Sequence, residues 1–297
     1  MIDKLQFLLA LARERHFGRA AQACGVTQPS LSGGIKQLEE MLGVLLVNRG
    51  SRFQNFTPEG ERILDWARRI VGDANAMRQE IRSLKQGLTG HLRIAAVPPS
   101  LAIVVQLTAP YRARHPDVAI TVLSRTSGQI QALIENLEID AGITYADDGI
   151  DGPLRSVPLY REQYRLLVSK DSPFAEREQV TWSDVGQVPL CLLTPDTQNR
   201  RLIDSRLRAA GCEPAPMLTS DSMIVLFSHV RSGQWASVMP SRLVEALGLA
   251  KEVRVLPIVD GEPEPTIALV VPKREPLPPL TAALVTEARR LAADLYR

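Results

Sequence analysis

The chain has little of what marks an enzyme or a secreted protein. Of its 297 residues only three are cysteine (Cys24, Cys191 and Cys212) and four are histidine. Three thiols are too few for a disulfide scaffold and fit a reducing compartment. His16, His91, His115 and His229 are scattered without metal-ligand spacing, so neither a metal nor a cofactor is expected. There is no Gly-x-Ser-x-Gly elbow, no phosphate-binding glycine loop and no evident Cys–His arrangement, and a non-enzyme is expected. No apolar run approaches the ~20 residues that span a bilayer, which leaves no membrane partner. Met1-Ile2-Asp3-Lys4 leads straight into a charged amphipathic helix, not a secretory leader, so the expected location is the cytoplasm.

Charge is nearly balanced overall, at +2, but it is not evenly spread. Residues 1–58 hold seven Lys/Arg and four Asp/Glu, a local balance of +3. Any basic surface therefore belongs to the N-terminus, where phosphates would be met.

The densest signal lies between His16 and Gly43. Ala20, Ala21 and Cys24 give a first short helix one small-residue face. Gly25 suits the left-handed position after it. Thr27 can cap a second helix, and Pro29 sits in its first turn, where a missing N–H costs nothing. Leu31, Ile35, Leu38 and Leu42 recur at helical spacing, leaving Gln28, Ser30, Ser32, Gly33 and Lys36 on the other face. Such a pair is a helix-turn-helix, whose second helix lies in the major groove with its N-terminal side chains on base edges. An antiparallel helix pair of an ordinary helical domain shows the same packing, so the following segments matter.

Residues 42–58 read as a two-stranded wing with its turn at Asn48-Arg49-Gly50-Ser51. Arg49 and Arg52 near the tip suit a minor groove or phosphates, although a surface Arg is more often merely solvated. The candidate DNA-contacting set is thus Thr27, Gln28, Pro29, Ser30, Ser32, Lys36, Arg49 and Arg52.

Thr57-Pro58-Glu59 opens a long helix, with Thr57 as cap, Pro58 at the first position and Glu59 at the positive end of the dipole. Ile63, Ala67, Ile70, Ala74, Met77, Ile81, Leu84 and Leu88 follow in alternating steps of four and three. That heptad seam predicts a coiled-coil dimerisation helix ending at Gly87 and Gly90. Two such units on one coiled coil read a roughly palindromic site.

Residues 91–297 are long enough for a second folding unit. Strands are expected at 92–97, 118–123 and 140–145, with helices at 101–113 and 129–138 between them. This alternation indicates a parallel sheet with helices on its faces. A long, partly exposed strand at 157–169 leaves this first lobe. A second lobe holds 188–193, a helix at 200–210 and a strand at 236–239. A strand at 266–271 returns to the first lobe, before a last helix at 280–296. Two lobes joined by two crossing strands make a hinged clamshell, with the ligand at the carboxyl ends of the strands. Pro99, Ser100, Thr126, Ser127 and Thr144 fall at strand ends of the first lobe. Thr194, Thr197, Gln198 and Ser222 fall at comparable places in the second. Hydroxyls and helix N-termini favour a small anion, with charge from Arg125, Asn199 or Arg200, while for each Ser and Thr the plain alternative is a helix cap.

These residues together resemble the LysR-type family of bacterial transcriptional regulators. The resemblance is carried by Phe17-Gly18-Arg19-Ala20-Ala21, Thr27-Gln28-Pro29-Ser30-Leu31-Ser32, Ile35-Lys36-Gln37-Leu38-Glu39, Leu42-Gly43, Arg49 and Thr57-Pro58-Glu59-Gly60. More loosely it includes His91-Leu92-Arg93-Ile94-Ala95, His115-Pro116-Asp117-Val118, Asp140-Ala141-Gly142-Ile143, Gly233 and Val238-Met239-Pro240. Gly33-Gly34 departs from the pattern inside the recognition helix, where two glycines cost roughly 1 kcal/mol each and offer no base contact. The resemblance implies an α+β multidomain protein. A winged helix-turn-helix covers 1–58, a linker helix 59–90, and a two-lobed, periplasmic-binding-protein-like domain 91–297. Lobe I comprises about 91–161 and 267–297, and lobe II about 162–266. The implied partners are promoter DNA, a small-molecule effector, further copies of the chain as homodimer or homotetramer, and RNA polymerase. Pro195–Arg201 and Phe227–Arg231 look similar in detail to regulators associated with formate dehydrogenase operons. Two alternatives stay open: a thiol-based redox regulator using Cys191 and Cys212, and a small-molecule-binding protein without DNA function.

Overall fold

The computed structural model describes residues 1–49, 53–146, 154–261 and 264–295; for Arg49 only the backbone is described. The chain divides into two compact units, one built on Met1–Leu88 and the other on most of Thr89–Arg297. The long helix thus belongs with the N-terminal unit.

The first unit begins with α1 (Ile2–Glu14), α2 (Phe17–Ala23) and α3 (Gln28–Leu42). Leu5, Leu8 and Leu11 of α1, Ala20 and Ala21 of α2, and Leu31, Ile35 and Leu38 of α3 form one core. Gly25 lies in the left-handed region, at φ 66°, as the turn requires. Gly34 is buried, and a Cβ there would sit 2.7 Å from the Phe7 ring. The second glycine of the pair is therefore demanded by packing, whereas Gly33 has open space. Leu42, read as part of the apolar stripe, is exposed.

Strands β1 (Val47–Arg49) and β2 (Phe53–Phe56) pair antiparallel as the wing. Three devices hold its base. Glu39 is buried, and its carboxylate accepts from the N–H groups of Leu46 (2.9 Å) and Val47 (3.2 Å). The Thr57 hydroxyl donates to the Leu45 carbonyl at 2.6 Å. Gly60 lets α4 (Pro58–Gln86) approach closely, since a Cβ there would meet the Leu46 carbonyl oxygen at 2.1 Å. Thr57 caps α4 by accepting from the Gly60 N–H.

The heptad of α4 does two different jobs. Ala67, with Leu64 and Val71, is buried in the core of its own unit, and Ile63 and Ile70 pack against that core. Ala74 is buried as well. Only Met77, Ile81 and Leu84 stand exposed, together with Trp66. The seam read as one continuous dimer face is thus spent, over its first turns, on the monomer core.

In the second unit, β3 (Gly90–Ala96), a 3-10 turn at Pro98–Ile103, α5 (Val104–Arg114), β4 (Val118–Ser124), α6 (Ser127–Glu135) and β5 (Ala141–Tyr145) alternate as expected. β6 (Leu154–Arg161) and β7 (Tyr164–Val168) follow. They replace the single long strand expected at 157–169; the break falls at Glu162–Gln163, β6 is partly exposed as expected, with Ser156, Pro158 and Arg161 outward, and β7 is largely buried. Then come α7 (Trp182–Val185), β8 (Cys191–Leu193), α8 (Gln198–Ala209), β9 (Leu218–Ser220), α9 (Met223–Arg231), β10 (Ser237–Pro240), α10 (Ser241–Ala246), β11 (Arg254–Pro257), β12 (Thr266–Pro272) and α11 (Pro279–Leu295). Lobe I is a five-stranded sheet in the order β4-β3-β5-β12-β6, in which β12 runs antiparallel to both neighbours. Lobe II contains the sheets β10-β7-β11 and β8-β9.

Candidate functional site

The N-terminus of α3 is built by its cap. The Thr27 hydroxyl accepts from the Ser30 N–H at 3.3 Å and shares a hydrogen bond with the Ser30 hydroxyl at 2.8 Å. Thr27 and Ser30 thereby satisfy each other and fix the helix end. Gln28, Pro29 and Lys36 are exposed, and Ser32 is half-buried. Lys36 lies 3.9 Å from Glu40, one turn on, an exposed pair that leaves it available to a phosphate. Arg52 and the Arg49 side chain, the two wing candidates, lie outside the described residues. Arg15, absent from the sequence-based set, has its guanidinium over the rings of Phe53 and Phe56, 5.9 Å from each. Nothing in its position next to α1 could have shown that it reaches the wing.

In the second unit a cavity of about 480 Å³ opens at the carboxyl end of β5, beside the first turns of α6 and α8. Its polar lining is Ser127, Gln131, Thr144 and Tyr145 from lobe I, and Gln198 and Arg201 from lobe II. The Thr144 hydroxyl donates to the Ser127 oxygen at 2.9 Å. Arg201 donates to the Gln198 side-chain carbonyl at 2.6 Å and to the Asp196 carbonyl at 3.1 Å. These bonds aim a guanidinium at the same space as two hydroxyls and the N-termini of α6 and α8, an arrangement suited to an anion.

Of the nine cleft candidates, Ser127, Thr144 and Gln198 line this cavity. The others do not. Thr126 exchanges hydrogen bonds with Gln129 in the first turn of α6. Thr197 is buried, caps α8 by accepting from the Arg200 N–H, and donates to the Thr194 carbonyl. Pro99 and Ser100 are buried in the 3-10 turn, where Ser100 accepts from Tyr160. Ser222 precedes α9, half-buried. The charge comes from Arg201, not Arg200 or Arg125, and Asn199, a neutral amide, supplies none. Arg200 is buried against Asp204 (2.7 Å) and the Leu193 carbonyl (3.0 Å). Asn199 points inward to Tyr145, and Arg125 donates to the Ser124 carbonyl. Because α8 begins at Gln198, residues 198 and 201 share one face, and that phase was the signal available.

The thiols are poorly placed for redox chemistry. Cys191 is fully buried, and burial pushes its thiol up to about 11. Cys191 and Leu193 face one core of lobe II, while Leu192 faces the other, against which Cys212 packs. The Cys212 sulfur nestles on Gly186, beside the Ser183 carbonyl. Cys24, at the end of α2, is half-buried, and burial raises its thiol too.

A winged helix-turn-helix joined through a long helix to a hinged two-lobed binding domain defines a ligand-responsive DNA-binding protein. Residues 2–61 match the bacterial regulatory helix-turn-helix protein model of the lysR family, and residues 85–293 match the LysR substrate binding domain. The chain belongs to the LysR family and is a DNA-binding transcriptional regulator with an effector-binding domain. The hydrogen peroxide-inducible genes activator of Dickeya chrysanthemi is 30% identical over 93% of this chain and 90% of its own. The DNA-binding transcriptional dual regulator OxyR of Escherichia coli is 29% identical over the same shares. A full-length OxyR variant from Pseudomonas aeruginosa superposes with a TM-score of 0.77 at 25% identity, over 97% of each chain. These relatives are peroxide regulators and lend no support to the association with formate dehydrogenase operons. The family match also sets aside a binding protein without DNA function.

Proposed function

We propose that this regulator binds a partly palindromic promoter site and changes its grip on DNA when a small anion occupies the cavity between its lobes. Arg201 carries the proposal: it is the cation of the cavity lining, aimed there by Gln198 and Asp196, with Ser127 and Thr144 opposite. Gln28, Pro29 and Ser32 read base edges, and Lys36, Arg49 and Arg52 meet phosphates. Thr27 and Ser30 hold the helix end that presents them. The exposed Met77, Ile81 and Leu84, with Trp66, form the seam for a second copy, and two dimers make the homotetramer. The protein acts in the cytoplasm, without catalysis, and meets RNA polymerase at the promoter.

Although its relatives include peroxide regulators, this chain answers a metabolite and not an oxidant. The buried Cys191 and its separation from Cys212 support that reading. The formate association rests on Pro195–Arg201 and Phe227–Arg231 alone. Part of the first segment now has its own account, as the cap, pocket wall and buried pair of α8. The test is footprinting upstream of the protein's own gene with a panel of carboxylates. Arg201→Ala should keep the protected site and lose the change that one compound causes. A response that survives in this variant removes Arg201, and a response to peroxide alone reverses the choice of signal.

A further inference from the structure

β6 ends at Arg161 and β7 begins at Tyr164, so Glu162 stands where the chain passes from lobe I to lobe II. Its N–H donates to the Pro265 carbonyl, on the segment that returns to lobe I. It is only 1% exposed. One carboxylate oxygen, Oε2, accepts from the Tyr145 hydroxyl at 2.7 Å. The other, Oε1, is buried without a hydrogen-bond partner. The Asn199 amide donates to the hydroxyl oxygens of Tyr145 (3.3 Å) and Tyr164 (3.5 Å). Tyr145 also lines the cavity from lobe I, and Asn199 adjoins the cavity residue Gln198 of lobe II. A buried carboxyl thus sits at the centre of a set of side chains that spans both lobes and touches the cavity.

The groups facing this carboxyl are Tyr145 from β5, Tyr160 from β6, Tyr164 from β7 and Arg206 from α8. Arg206 lies over the Tyr164 ring at 5.1 Å, and Arg242 of α10 lies over the Tyr160 ring at 4.8 Å. Burial raises the Glu162 carboxyl to about 7, against a smaller opposing pull from the Tyr145 and Tyr164 hydroxyls and Arg206.

We propose that Glu162 is a positioning residue for the cleft, holding the two lobes together when its carboxyl is neutral and loosening them when it ionises. The neutral group leaves no charge in the buried junction. The ionised group leaves a charged oxygen without a partner, a cost that is relieved when the lobes part and water reaches it. An anion beside Tyr145 and Gln198 meets less repulsion with Glu162 neutral, so its binding takes up a proton. That consequence rests on the reading of the cleft as an anion site, whereas the latch itself does not.

The test is amide hydrogen exchange on the full chain without ligand, at pH 6 and pH 8, with rates corrected for the intrinsic effect of pH. A carboxyl titrating near 7 is about tenfold more ionised at pH 8 than at pH 6. Opening of the β6–β7 junction and the first turn of α8 should rise by about the same factor in the wild type. α1 serves as the control. Glu162→Gln, neutral at both values, should show no pH step and stay at least as protected as the wild type at pH 6. Tyr145→Phe removes a bond that favours the ionised form and should move the midpoint to higher pH. Equal protection of the wild type at both values overturns the proposal, as does a pH step that persists in Glu162→Gln. If Glu162→Gln fails to fold, an unmoved midpoint in Tyr145→Phe does the same. The Arg201→Ala footprint tests the cleft separately, since no ligand enters here.

Thermal stability gives a second readout. A carboxyl raised in the folded state contributes stability that is complete below about 4.5 and is lost as the pH climbs through about 7. The melting temperature of the wild type should fall over that window more steeply than that of Glu162→Gln.

Discussion

The N-terminal ends of α3 and α8 carry nearly the same short code and put it to opposite uses. Thr27-Gln28 and Thr197-Gln198 each open a helix, and each threonine accepts from the N–H three residues on, at 3.3 Å in both. At α3 the cap is exposed, and Gln28 and Pro29 project outward, where a duplex can reach them. At α8 the cap is buried; Arg200 turns into lobe II, Asn199 reaches Tyr145 and Tyr164 where the lobes meet, and Gln198 with Arg201 walls a cavity. The local device is one and the same. Whether it becomes a reading head or a pocket wall depends on what packs around it.

The largest effect that would break the comparison is at Arg200. Arg200→Ala leaves Asp204 and the Leu193 carbonyl without their buried partner and should cost about 3 kcal/mol in urea unfolding. No exposed residue of the α3 end should approach that. The caps come next. Thr197→Ala strands a buried N–H and should cost about 2 kcal/mol, whereas Thr27→Ala, at an exposed end, should cost about 0.5 kcal/mol. Equal costs would show that burial does not separate the two ends. The glycine pair of α3 gives opposite signs. Gly34→Ala forces the Phe7 ring aside and should destabilise by about 1–3 kcal/mol. Gly33→Ala, with open space, should stabilise by roughly 1 kcal/mol. The smallest effect on stability, and the sharpest on function, belongs to Gln28→Ala. Unfolding should be unchanged, while discrimination between operator and random DNA falls by about 1–3 kcal/mol at one base pair. Equal loss on both DNAs in a titration would take base reading away from Gln28.

Much of the first unit was legible because its signals are local. Thr27, Pro29, Gly25, Thr57 and Pro58 act within one turn of themselves, and the structure places each where its chemistry demands. The heptad of α4 was legible as a period but not as a partner. The same apolar spacing serves a seam or a core, and Ala67 was claimed by the core. β9 and β11 escaped because strands of three or four residues carry too little alternation to stand out. The break between β6 and β7 escaped because an apolar run does not show where it changes sheets.

The cleft was half legible for the same reason. Ser127, Thr144 and Gln198 were found at the ends of elements, where ligands collect. Arg201 was missed by a single position, since its face is set by where α8 starts. By itself the sequence determined the two-unit plan, the helix caps, the wing and the family, because short-range backbone chemistry and apolar period are written residue by residue. Only the tertiary structure decided which threonine hydroxyls were already spent on caps, which arginine reached the cavity, and that a lone glutamate was buried at the junction of the lobes. Those outcomes depend on burial by residues distant in the chain, and burial sets whether a polar group is satisfied, exposed or shifted in its charge.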